Sequence, residues 1–437
     1  HFAIRRQRQM CIRDRDIVKN TSLKKRNLKI LFSIAFCISL NLLSHGKVGS
    51  IEEIYNEERK IVFPDTKNYH VVVSDLHTHS VFSDGHVWPN LRVAEALLDG
   101  LDLIAITEHL ELQPHKSDIP HPDRNRAFDI ANKASKSSNL IVINGTEVTR
   151  KFPPGHINAV FIKDANKMIK IDRTKQDEVN DYIKSLPEDL IENYKNDAWL
   201  NDGVLAALWP IKETLEEARK QEAFTFWNHP AWSSEKENSK KILHDIHIEL
   251  FNEGLLHGIE VVNGKWFSKE AFQIALDYDL TIIGTSDVHG LIDWDYLQKP
   301  NGHRSVTLIL SKERTEQSIK ESLFSGRTVV WYKNELIGME KNVNELIEAC
   351  LSIKKTSFKG KTNVLLVEIQ NISDVEFLLQ VNDDKSIEDN ANIFKVLPNS
   401  VTSIEVGNSS SKKIELNLNV LNAHISPNVN ANIKLAN

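Results

Sequence analysis

Short apolar runs, each followed at once by polar residues, recur through the first two thirds of this 437-residue chain. The runs are Val71–Val73, Leu103–Ile106, Leu140–Ile143, Ala223–Phe226 and Leu280–Ile283. Continuous apolar runs of this length are typical of strands that are buried in a parallel sheet. Because the carboxyl ends of parallel strands lie at one edge of the sheet, the residues that follow these runs are predicted to meet there.

A different pattern begins further along the chain. Glu313–Ser325 and Asn344–Leu351 are helix-like, and Arg327–Tyr332 is predicted to be a short strand. From Thr362 on, apolar and polar residues alternate in runs separated by Asn, Asp, Ser and Gly, which is typical of antiparallel strands. We therefore predict one domain over residues 66–335 and a small β-sandwich-like domain over residues 341–437.

The residues that follow the apolar runs are of the types that bind metal ions. In the sequence Asp-Leu-His-Thr-His-Ser at Asp75–Ser80, His77 and His79 are two positions apart, so a strand would present both imidazoles to one point. The nine candidate ligands are His77, His79, Asp84, His109, Glu147, His156, His229, Asp287 and His289. A lone His after a strand is usually an ordinary hydrogen-bonding residue, but a structural protein has no reason to gather so many at one edge.

The number and type of these residues indicate which metals they suit. Nine ligands exceed the needs of one ion, and they suffice for two or three ions if some of them bridge. No sulfur is among them, which favours Mn²⁺, Zn²⁺ or iron over a structural zinc site built from thiolates. The sequence therefore predicts two or three divalent metal ions per chain.

The motifs resemble those of the polymerase-and-histidinol-phosphatase (PHP) superfamily of metallophosphoesterases. The resemblance covers about Tyr69 to Val330 and includes Asp-x-His-x-His-Ser with Ser-Asp-Gly, then Thr-Glu-His, Asn-His-Pro and Ser-Asp-x-His, in the expected order. Three stretches are similar to the Sb-PDE phosphodiesterases, a PHP subgroup. They are Asp84–Trp88, His115–Arg126 and Ser325–Val330.

This resemblance implies an α/β fold, a distorted (β/α)₇ TIM-like barrel, with a trinuclear metal centre. In that family the first ion would be held by His77, His79, Glu147 and Asp287. Glu147 would bridge to a second ion completed by His156 and His229, and the third would be held by Asp84, His109 and His289. Glu147 and Asp287 would then also count as catalytic residues.

The chemistry of phosphodiesters fits such a centre. Bridging metal ions lower the pKa of a bound water and neutralise the phosphoryl oxygens, so no nucleophilic Ser or Cys is required. Candidate proton donors to the leaving oxygen are His115, His121 and His303, and candidate anion clamps are Arg124, Arg126, Lys265 and Arg304. For each of these the alternative is a surface residue without a catalytic role. Among them we name His303 and Arg124 as catalytic candidates.

Three tryptophans lie beside the motifs. Trp88, Trp232 and Trp266 would either wall a pocket for an organic ester group or pack within the barrel, and packing is the interpretation that we favour.

The amino end differs in kind from the rest of the chain. Arg5–Arg15 resembles translated adapter sequence, so residues 1–16 are expected to be a sequence artefact. A basic stretch before the apolar run Ile30–Leu43 is typical of a signal peptide, here over residues 17–48, and the run is too short to span a membrane comfortably. We therefore expect an exported protein, periplasmic or extracellular, with no stable membrane span after cleavage.

The net charge of the chain indicates which kinds of binding partner to expect. Without residues 1–46 the chain has 44 basic and 58 acidic side chains, a net charge of −14. Binding of long nucleic acid rests on cationic neutralisation of phosphates, so small organic phosphoesters are the expected substrates. Cys350 would be the one cysteine left, so no internal disulfide is expected. Nothing in the sequence indicates an oligomeric state.

The expected function is metal-dependent hydrolysis of phosphoesters, preferentially small organic phosphodiesters, by a metal-bridged hydroxide. One alternative is a phosphomonoesterase of the same fold. A second is an amidohydrolase-type hydrolase, which a carboxylated lysine bridging two metals would mark. A third is a non-catalytic binding module, which missing ligands would mark. Glu147 at the bridging position and the full ligand set favour the phosphoesterase.

Overall fold

The computed structural model describes residues 60–115, 117–120, 122–169, 184, 188, 210–236, 239, 241–296, 302–382, 392–407 and 409–437. The expected artefact, the expected signal peptide and the candidate proton donor His121 lie outside the described residues. Within the described part, no helix combines the length and the apolar character needed to cross a bilayer.

Strands and helices alternate through the first domain. Its strands are β1 (His70–Asp75), β2 (Leu103–Ile106), β3 (Ile141–Val148), β4 (Ile157–Val160), β5 (Phe224–Trp227), β6 (Gly258–Asn263), β7 (Trp266–Phe267), β8 (Thr281–Thr285), β9 (Val306–Ser311), β10 (Thr328–Tyr332) and β11 (Glu335–Gly338). Its helices are α1 (Pro89–Leu98), α2 (Arg126–Ser135), α3 (Ile211–Lys220), α4 (Pro230–Lys236), α5 (Asp245–Asn252), α6 (Lys269–Asp277), α7 (Ile292–Asp295) and α8 (Glu316–Phe324), with a 3₁₀ helix at Ala165–Met168.

The strands form a mixed sheet that contains two parallel groups. β1, β2 and β3 are parallel neighbours, and β5, β6 and β8 form a second parallel group. β4 runs antiparallel between β3 and β5, and β9 runs antiparallel beside β1. Every residue of β2, β4 and β5 is buried, which explains why these strands appear as unbroken apolar runs in the sequence. The predicted barrel-like α/β domain is confirmed.

Threonine hydroxyl groups join β8 to β9 and β10. Thr307 Oγ1 accepts a hydrogen bond from the Gly284 N–H (3.0 Å) and donates one to the Gly284 carbonyl (2.7 Å). Thr328 Oγ1 donates to the carbonyl of Ile282 at 2.7 Å. Beyond the strand ends, Thr78 and Val288 form an isolated parallel bridge between the segments that follow β1 and β8.

The second domain is a sandwich of two sheets, and it follows α9 (Glu340–Cys350). Its strands are β12 (Leu351–Phe358), β13 (Leu365–Asn371), β14 (Phe377–Val381), β15 (Ile393–Val396), β16 (Val401–Val406), β17 (Glu415–Ser426) and β18 (Val429–Ala436). β12, β13 and β16 form one sheet, and the other strands form the second. β13 and β14 alternate strictly between buried and half-buried residues, so the period-two pattern of the sequence is explained and the predicted β-sandwich-like domain is confirmed.

The two domains share a sheet. β10 and β11 form an antiparallel pair at the end of the barrel, and β11 pairs in parallel with β17 of the sandwich, with Leu336 opposite Ala423. The ladder of backbone hydrogen bonds is therefore continuous from β1 through β9, β10 and β11 into the second domain. The bounds 66–335 and 341–437 stay predictions, since β11 at residues 335–338 belongs to this shared sheet.

The close approach of β8 to β10 yields a stability prediction. A Cβ placed on Gly284 would lie 2.2 Å from Val330 Cγ1. We expect Gly284→Ala to lower the free energy of unfolding by about 1–3 kcal/mol, because the added methyl group overpacks a filled core. Guanidinium denaturation of Gly284→Ala, Val330→Ala and the double variant measures it. Since Val330→Ala removes the clashing methyl groups, the double variant should lose less stability than the sum of the two single variants. Simple additivity would contradict the packing argument.

Candidate metal centre

All nine predicted ligands lie at one edge of the barrel. His77 and His79 follow β1, His109 follows β2, Glu147 lies at the end of β3 and His229 follows β5. Asp287 and His289 follow β8, and Asp84 lies beyond β1. His156 precedes β4, and because β4 is antiparallel to β3 and β5, its amino end lies at the same edge as their carboxyl ends.

The ligand atoms form three overlapping groups, and within each group they all lie within 4.8 Å of one another. The groups are His79, Asp84, His109 and His289; His77, His79 and Asp287; and His109, Glu147 and His156. His229 Nε2 lies 3.3 Å from Glu147 Oε1, next to the third group. The grouping differs from that implied by the family resemblance. His79 lies with Asp84 as well as with Asp287, and His109 lies with Glu147 as well as with Asp84.

Glu147 is the centre of this arrangement. Its carboxylate is buried, and imidazole nitrogens of His109, His156 and His229 lie 2.8, 3.1 and 3.3 Å from its oxygens. Nitrogens of His77 and His79 lie 3.5 Å away. The side-chain amide of Asn228 donates a hydrogen bond to Oε1 at 2.7 Å. Both oxygens of this carboxylate therefore face imidazole nitrogens that come from several strands.

Hydrogen bonds fix the orientation of three of the imidazoles. His77 Nδ1 donates to the Glu260 carboxylate at 2.8 Å, and His289 Nδ1 donates to the Asp287 carbonyl at 2.9 Å. Ser83 donates its hydroxyl proton to Glu108, so its oxygen accepts from His79 Nδ1 at 3.1 Å. In each ring Nδ1 is therefore a donor, and Nε2 faces the other ligands, which is the orientation of metal-bound histidines.

The pKa values in the cluster are shifted by burial and by the mutual attraction of carboxylates and imidazoles. Burial alone lowers the pKa of His77, but the carboxylates of Asp287, Glu260 and Glu147 outweigh it and raise that pKa well above its ordinary value. Burial raises the pKa of Asp287, but His77 and the neighbouring imidazoles hold it well below its ordinary value. For His79, burial and the nearby His289 lower the pKa to about 4, so this ring is neutral at physiological pH.

The donor set fits divalent cations. His77 Nε2 and His79 Nε2 are 3.0 Å apart, and both lie within 3.3 Å of Asp287 Oδ1. In the described part of the chain, no group donates a well-aligned hydrogen bond to Asp84 Oδ1, Glu147 Oε2 or Asp287 Oδ1, although all three oxygens are buried. Buried acceptors without donors are rare in proteins, and a cation among them would satisfy them.

Two ligands have backbone conformations that side chains rarely adopt. The φ angles of His229 and Asp287 are +29° and +47°. Neighbouring groups hold both residues there, since the His229 N–H donates to Glu260 Oε2 at 2.7 Å and the Asp287 N–H donates to the His77 carbonyl at 3.0 Å. Left-handed backbone at non-glycine residues is concentrated at functional sites, where the surroundings stabilise it.

Glu260 was not among the predicted site residues. It is buried on β6, and its two oxygens accept hydrogen bonds from His77, the backbone of His229 and the hydroxyl of Thr285 (2.6 Å). It therefore orients two ligands from different strands. The signal in the sequence is a carboxylate within the otherwise apolar stretch Gly258–Val262, where a charge is costly unless it is fully paired.

Arg92 is a further residue that the sequence analysis did not identify. Its guanidinium is fully buried on α1 and donates to the carbonyls of His79 (2.8 Å), His289 (3.0 Å) and Gly290 (2.6 Å). Glu95 pairs with it at 2.6 Å. Arg92 thus fixes the loops after β1 and β8 relative to each other.

The structure does not bring His303 or Arg124 to the cluster. His303 stacks on Trp331 with ring centroids 3.4 Å apart, its Nδ1 donates to the Arg304 carbonyl and its Nε2 accepts from the Asn334 N–H. Both nitrogens are thus engaged by the backbone. Arg124 precedes α2, where its backbone N–H donates to Asn166 Oδ1, and it does not line the cavity beside the cluster.

The other candidate donors and clamps also lie elsewhere. Arg304 is buried between Asp75 and Asp99, at 3.2 and 2.6 Å. Lys265 is exposed and pairs with Asp295 at 3.2 Å. Neither these residues nor His115 or Arg126 line the cavity.

A cavity of about 530 Å³ opens over the cluster. Eight of the nine candidate ligands line it, all but His77, together with Pro230, Ala231, Trp232, Glu235, Lys236, Glu260, Val261, Asn263, Trp266, Phe267 and Ser268. Trp232 and Trp266 are 48% and 78% exposed, so the expectation that they pack within the barrel is wrong for both. Trp88, at 47% exposure, lies outside the cavity, against the edge of Phe82.

Replacement of Glu260 tests its effect on metal affinity. We expect Glu260→Gln to weaken Mn²⁺ binding about 10–100-fold, because His77 Nδ1 loses the anionic acceptor that makes the ring a stronger ligand. Isothermal titration calorimetry with Mn²⁺ measures the change. Glu313→Gln, at an exposed glutamate remote from the cluster, is the matched control and should bind as the wild type does. Equal affinity for Glu260→Gln and wild type would contradict the role given to Glu260.

Metal binding should also stabilise the fold. Because the ligands come from six strands that converge only in the folded chain, Mn²⁺ at about 100 times its dissociation constant should add about 2.7 kcal/mol to the free energy of unfolding. Urea denaturation with Mn²⁺ and with EDTA measures this difference. Glu147→Ala should lose most of it, and a metal-independent midpoint in the wild type would argue against a metal centre.

Comparisons with known proteins agree with this geometry. The family model of an Ig-like domain, DUF5001, matches residues 351–436, the strands of the sandwich. No curated protein matches the chain. The crystal structure of a two-domain protein from Bacteroides vulgatus, which contains a predicted PHP-like metal-dependent phosphoesterase, is 33% identical, with a TM-score of 0.72. The match covers 88% of this chain and 99% of that one.

More distant structures were also found. A predicted metal-dependent phosphoesterase from Bifidobacterium adolescentis is 20% identical over 50% of this chain and 87% of its own, with a TM-score of 0.33. An amidohydrolase from Chromobacterium violaceum with bound sulfate is 16% identical over the same shares, with a TM-score of 0.32. The identity and coverage of the Bacteroides vulgatus protein are those of a family relative. This chain therefore belongs to the PHP-like metal-dependent phosphoesterases, in a two-domain form with a C-terminal Ig-like domain.

Proposed function

We propose that this protein hydrolyses phosphoesters, preferentially small organic phosphodiesters, with two or three divalent ions held by its nine ligands, as in the Sb-PDE subgroup. The observation that carries the proposal is the convergence of three ligand groups around Glu147 at the base of an open cavity. Bound divalent ions would lower the pKa of a coordinated water and neutralise the phosphoryl oxygens.

The residues of the chain prepare the site for this role. Glu260, Ser83 and the Asp287 carbonyl hold imidazoles with Nε2 toward the other ligands. The Asn263 amide donates to Glu260 at 2.9 Å and to Asp287 at 3.1 Å, so both carboxylates keep a fixed direction. A site whose ligands are held before the substrate arrives avoids the cost of ordering them during the reaction.

The charges that line the cavity favour diesters over monoesters. Among the described residues that line it, Lys236 is the one lysine or arginine. A phosphomonoester is largely a dianion at neutral pH, so its binding is strengthened by additional Arg or Lys side chains. A phosphodiester carries one negative charge, which bound divalent ions would balance without them. The absence of Arg124 and Arg304 from the lining therefore supports a monoanionic substrate.

The same lining argues against the amidohydrolase alternative. A carboxylated lysine would have to lie between the metal ions. Lys236, the one lysine among the described residues that line the cavity, is instead on α4 with its Nζ over the Trp232 ring. The imidazoles around both oxygens of Glu147 support this carboxylate as the bridging ligand.

We also propose that the protein is exported. The support is the basic stretch followed by the apolar run Ile30–Leu43 in the sequence. The proposal is independent of the catalytic one.

A hydrolysis assay tests the proposed function. The purified protein with Mn²⁺ should hydrolyse bis(p-nitrophenyl) phosphate faster than p-nitrophenyl phosphate, and p-nitrophenyl acetate slowly or not at all. Loss of a bridging carboxylate should cost more than the 10–100-fold typical of residues that only support ligands, so Glu147→Ala should lower kcat/KM more than about 100-fold. EDTA should abolish turnover.

Glu313→Ala, at an exposed surface position, is the matched control and should retain wild-type activity. Fast monoester and negligible diester hydrolysis would show a phosphomonoesterase of the same family. Turnover of the acetate ester alone would favour the amidohydrolase alternative and overturn the proposal.

A further inference from the structure

Two exposed tryptophans border the cavity at fixed positions next to the ligands. Trp266 is 78% exposed and Trp232 is 48% exposed, and both line the cavity. A large aromatic side chain left in water forgoes the stabilisation of burial, and exposed apolar groups beside a concave site are typical of ligand-binding surfaces. We call Trp232 and Trp266 the tryptophan wall.

The backbone that carries Trp266 is held firmly. Trp266 lies on the short strand β7, opposite Asn263 of β6. At the turn between the two strands, the Gly264 N–H donates to the Thr285 carbonyl (2.9 Å), and the Gly264 carbonyl accepts from Ser305 Oγ (2.7 Å). The Tyr332 hydroxyl donates to the next carbonyl, that of Lys265. The exposure of Trp266 is therefore a property of a well-anchored hairpin.

The Ig-like domain supports the same hairpin. Phe267, the neighbour of Trp266 on β7, is half-buried and stacks on His424 of β17 with ring centroids 6.4 Å apart. His424 Nε2 pairs in turn with Glu335 at 2.8 Å.

Trp232 is placed by the helix that follows a metal ligand. It is the third residue of α4, which begins directly after His229, and Ser233 of the same turn contacts His229 Nδ1 at 3.1 Å. The Trp232 ring lies edge-on to His229 at 5.0 Å and to His156 at 6.4 Å. Lys236 Nζ lies 4.9 Å from its centroid. Trp232 is thus next to two of the candidate ligands. The ammonium group of Lys236 lies over its ring, where it would also attract a phosphoryl group.

We propose that the tryptophan wall binds a flat aromatic group of the phosphoester, so that the protein selects aryl or nucleobase-bearing esters over purely aliphatic ones. This inference rests on the proposed function and adds a substrate class to it. Flat rings stack on tryptophan whatever their substituents, so aryl groups and nucleobases share the required chemistry. The cavity volume of about 530 Å³ lies within the range of sites for small organic ligands.

Matched pairs of ligands test the inference by their binding affinities. The full-length Mn²⁺-loaded protein is titrated by calorimetry with phenylphosphonate and methylphosphonate, and with adenosine 5′-monophosphate and ribose 5-phosphate. We expect the aromatic member of at least one pair to bind about tenfold more tightly than its partner. The first pair reports on aryl esters and the second on nucleobase-bearing esters.

Variants of the two tryptophans test whether these side chains cause the preference for aromatic ligands. Trp232→Ala and Trp266→Ala should each reduce the aromatic-to-aliphatic affinity ratio, while affinity for the aliphatic ligands stays within about twofold of wild type. Both side chains are substantially exposed, so neither replacement opens a core cavity. Trp266→Phe should restore most of the ratio. Trp294→Ala, at a tryptophan that is 61% exposed but outside the cavity, is the matched control and should leave the ratio unchanged.

The outcomes separate this inference from the proposed function. Equal affinity for aromatic and aliphatic ligands, or a ratio that survives both alanine variants, would overturn the tryptophan wall while diester hydrolysis stands. Absence of binding by all four ligands together with absence of hydrolysis would overturn the proposed function itself.

Discussion

The metal centre depends on the pairing of two loops that belong to opposite ends of the barrel sequence. The segment after β1 and the segment after β8 exchange backbone hydrogen bonds, from Asp287 N–H to the His77 carbonyl (3.0 Å) and from His79 N–H to the Val288 carbonyl (3.1 Å). The Arg92 guanidinium donates hydrogen bonds to a backbone carbonyl of each segment, those of His79 and His289. This pairing brings His77, His79 and Asp287 together at one point of the barrel edge.

The convergence of the candidate ligands was predictable from the sequence because all of them except Asp84 lie within four residues of the end of a buried strand. An unbroken apolar run predicts a strand that is covered on both faces, and the first polar residue after it has to emerge at the edge of the sheet. Even His156, which precedes a strand, obeys this rule once β4 is recognised as antiparallel. The alternation after Thr362 predicted the sandwich for the same physical reason, since those strands are buried on one face only.

Other roles could not be predicted because they depend on packing between distant segments. Glu260 lies inside a strand, and its function comes from His77 and His229, which are remote in sequence. His303 has the right side chain for proton transfer, but Trp331 and two backbone groups hold it elsewhere. For Trp266 the sequence gives no sign of exposure, because whether a tryptophan near a site packs or projects depends on the hairpin that carries it.

The shared sheet has a consequence for how the protein loses its structure. Domains connected by a flexible linker can unfold separately, whereas units joined through backbone hydrogen bonds and side-chain packing tend to unfold together. Here the ladder from β1 to β17 and the contact of Phe267 with His424 join the barrel to the Ig-like domain. The described part of the chain is therefore expected to behave as one cooperative unit, in which damage to the sandwich core also lowers the stability of the metal-binding edge.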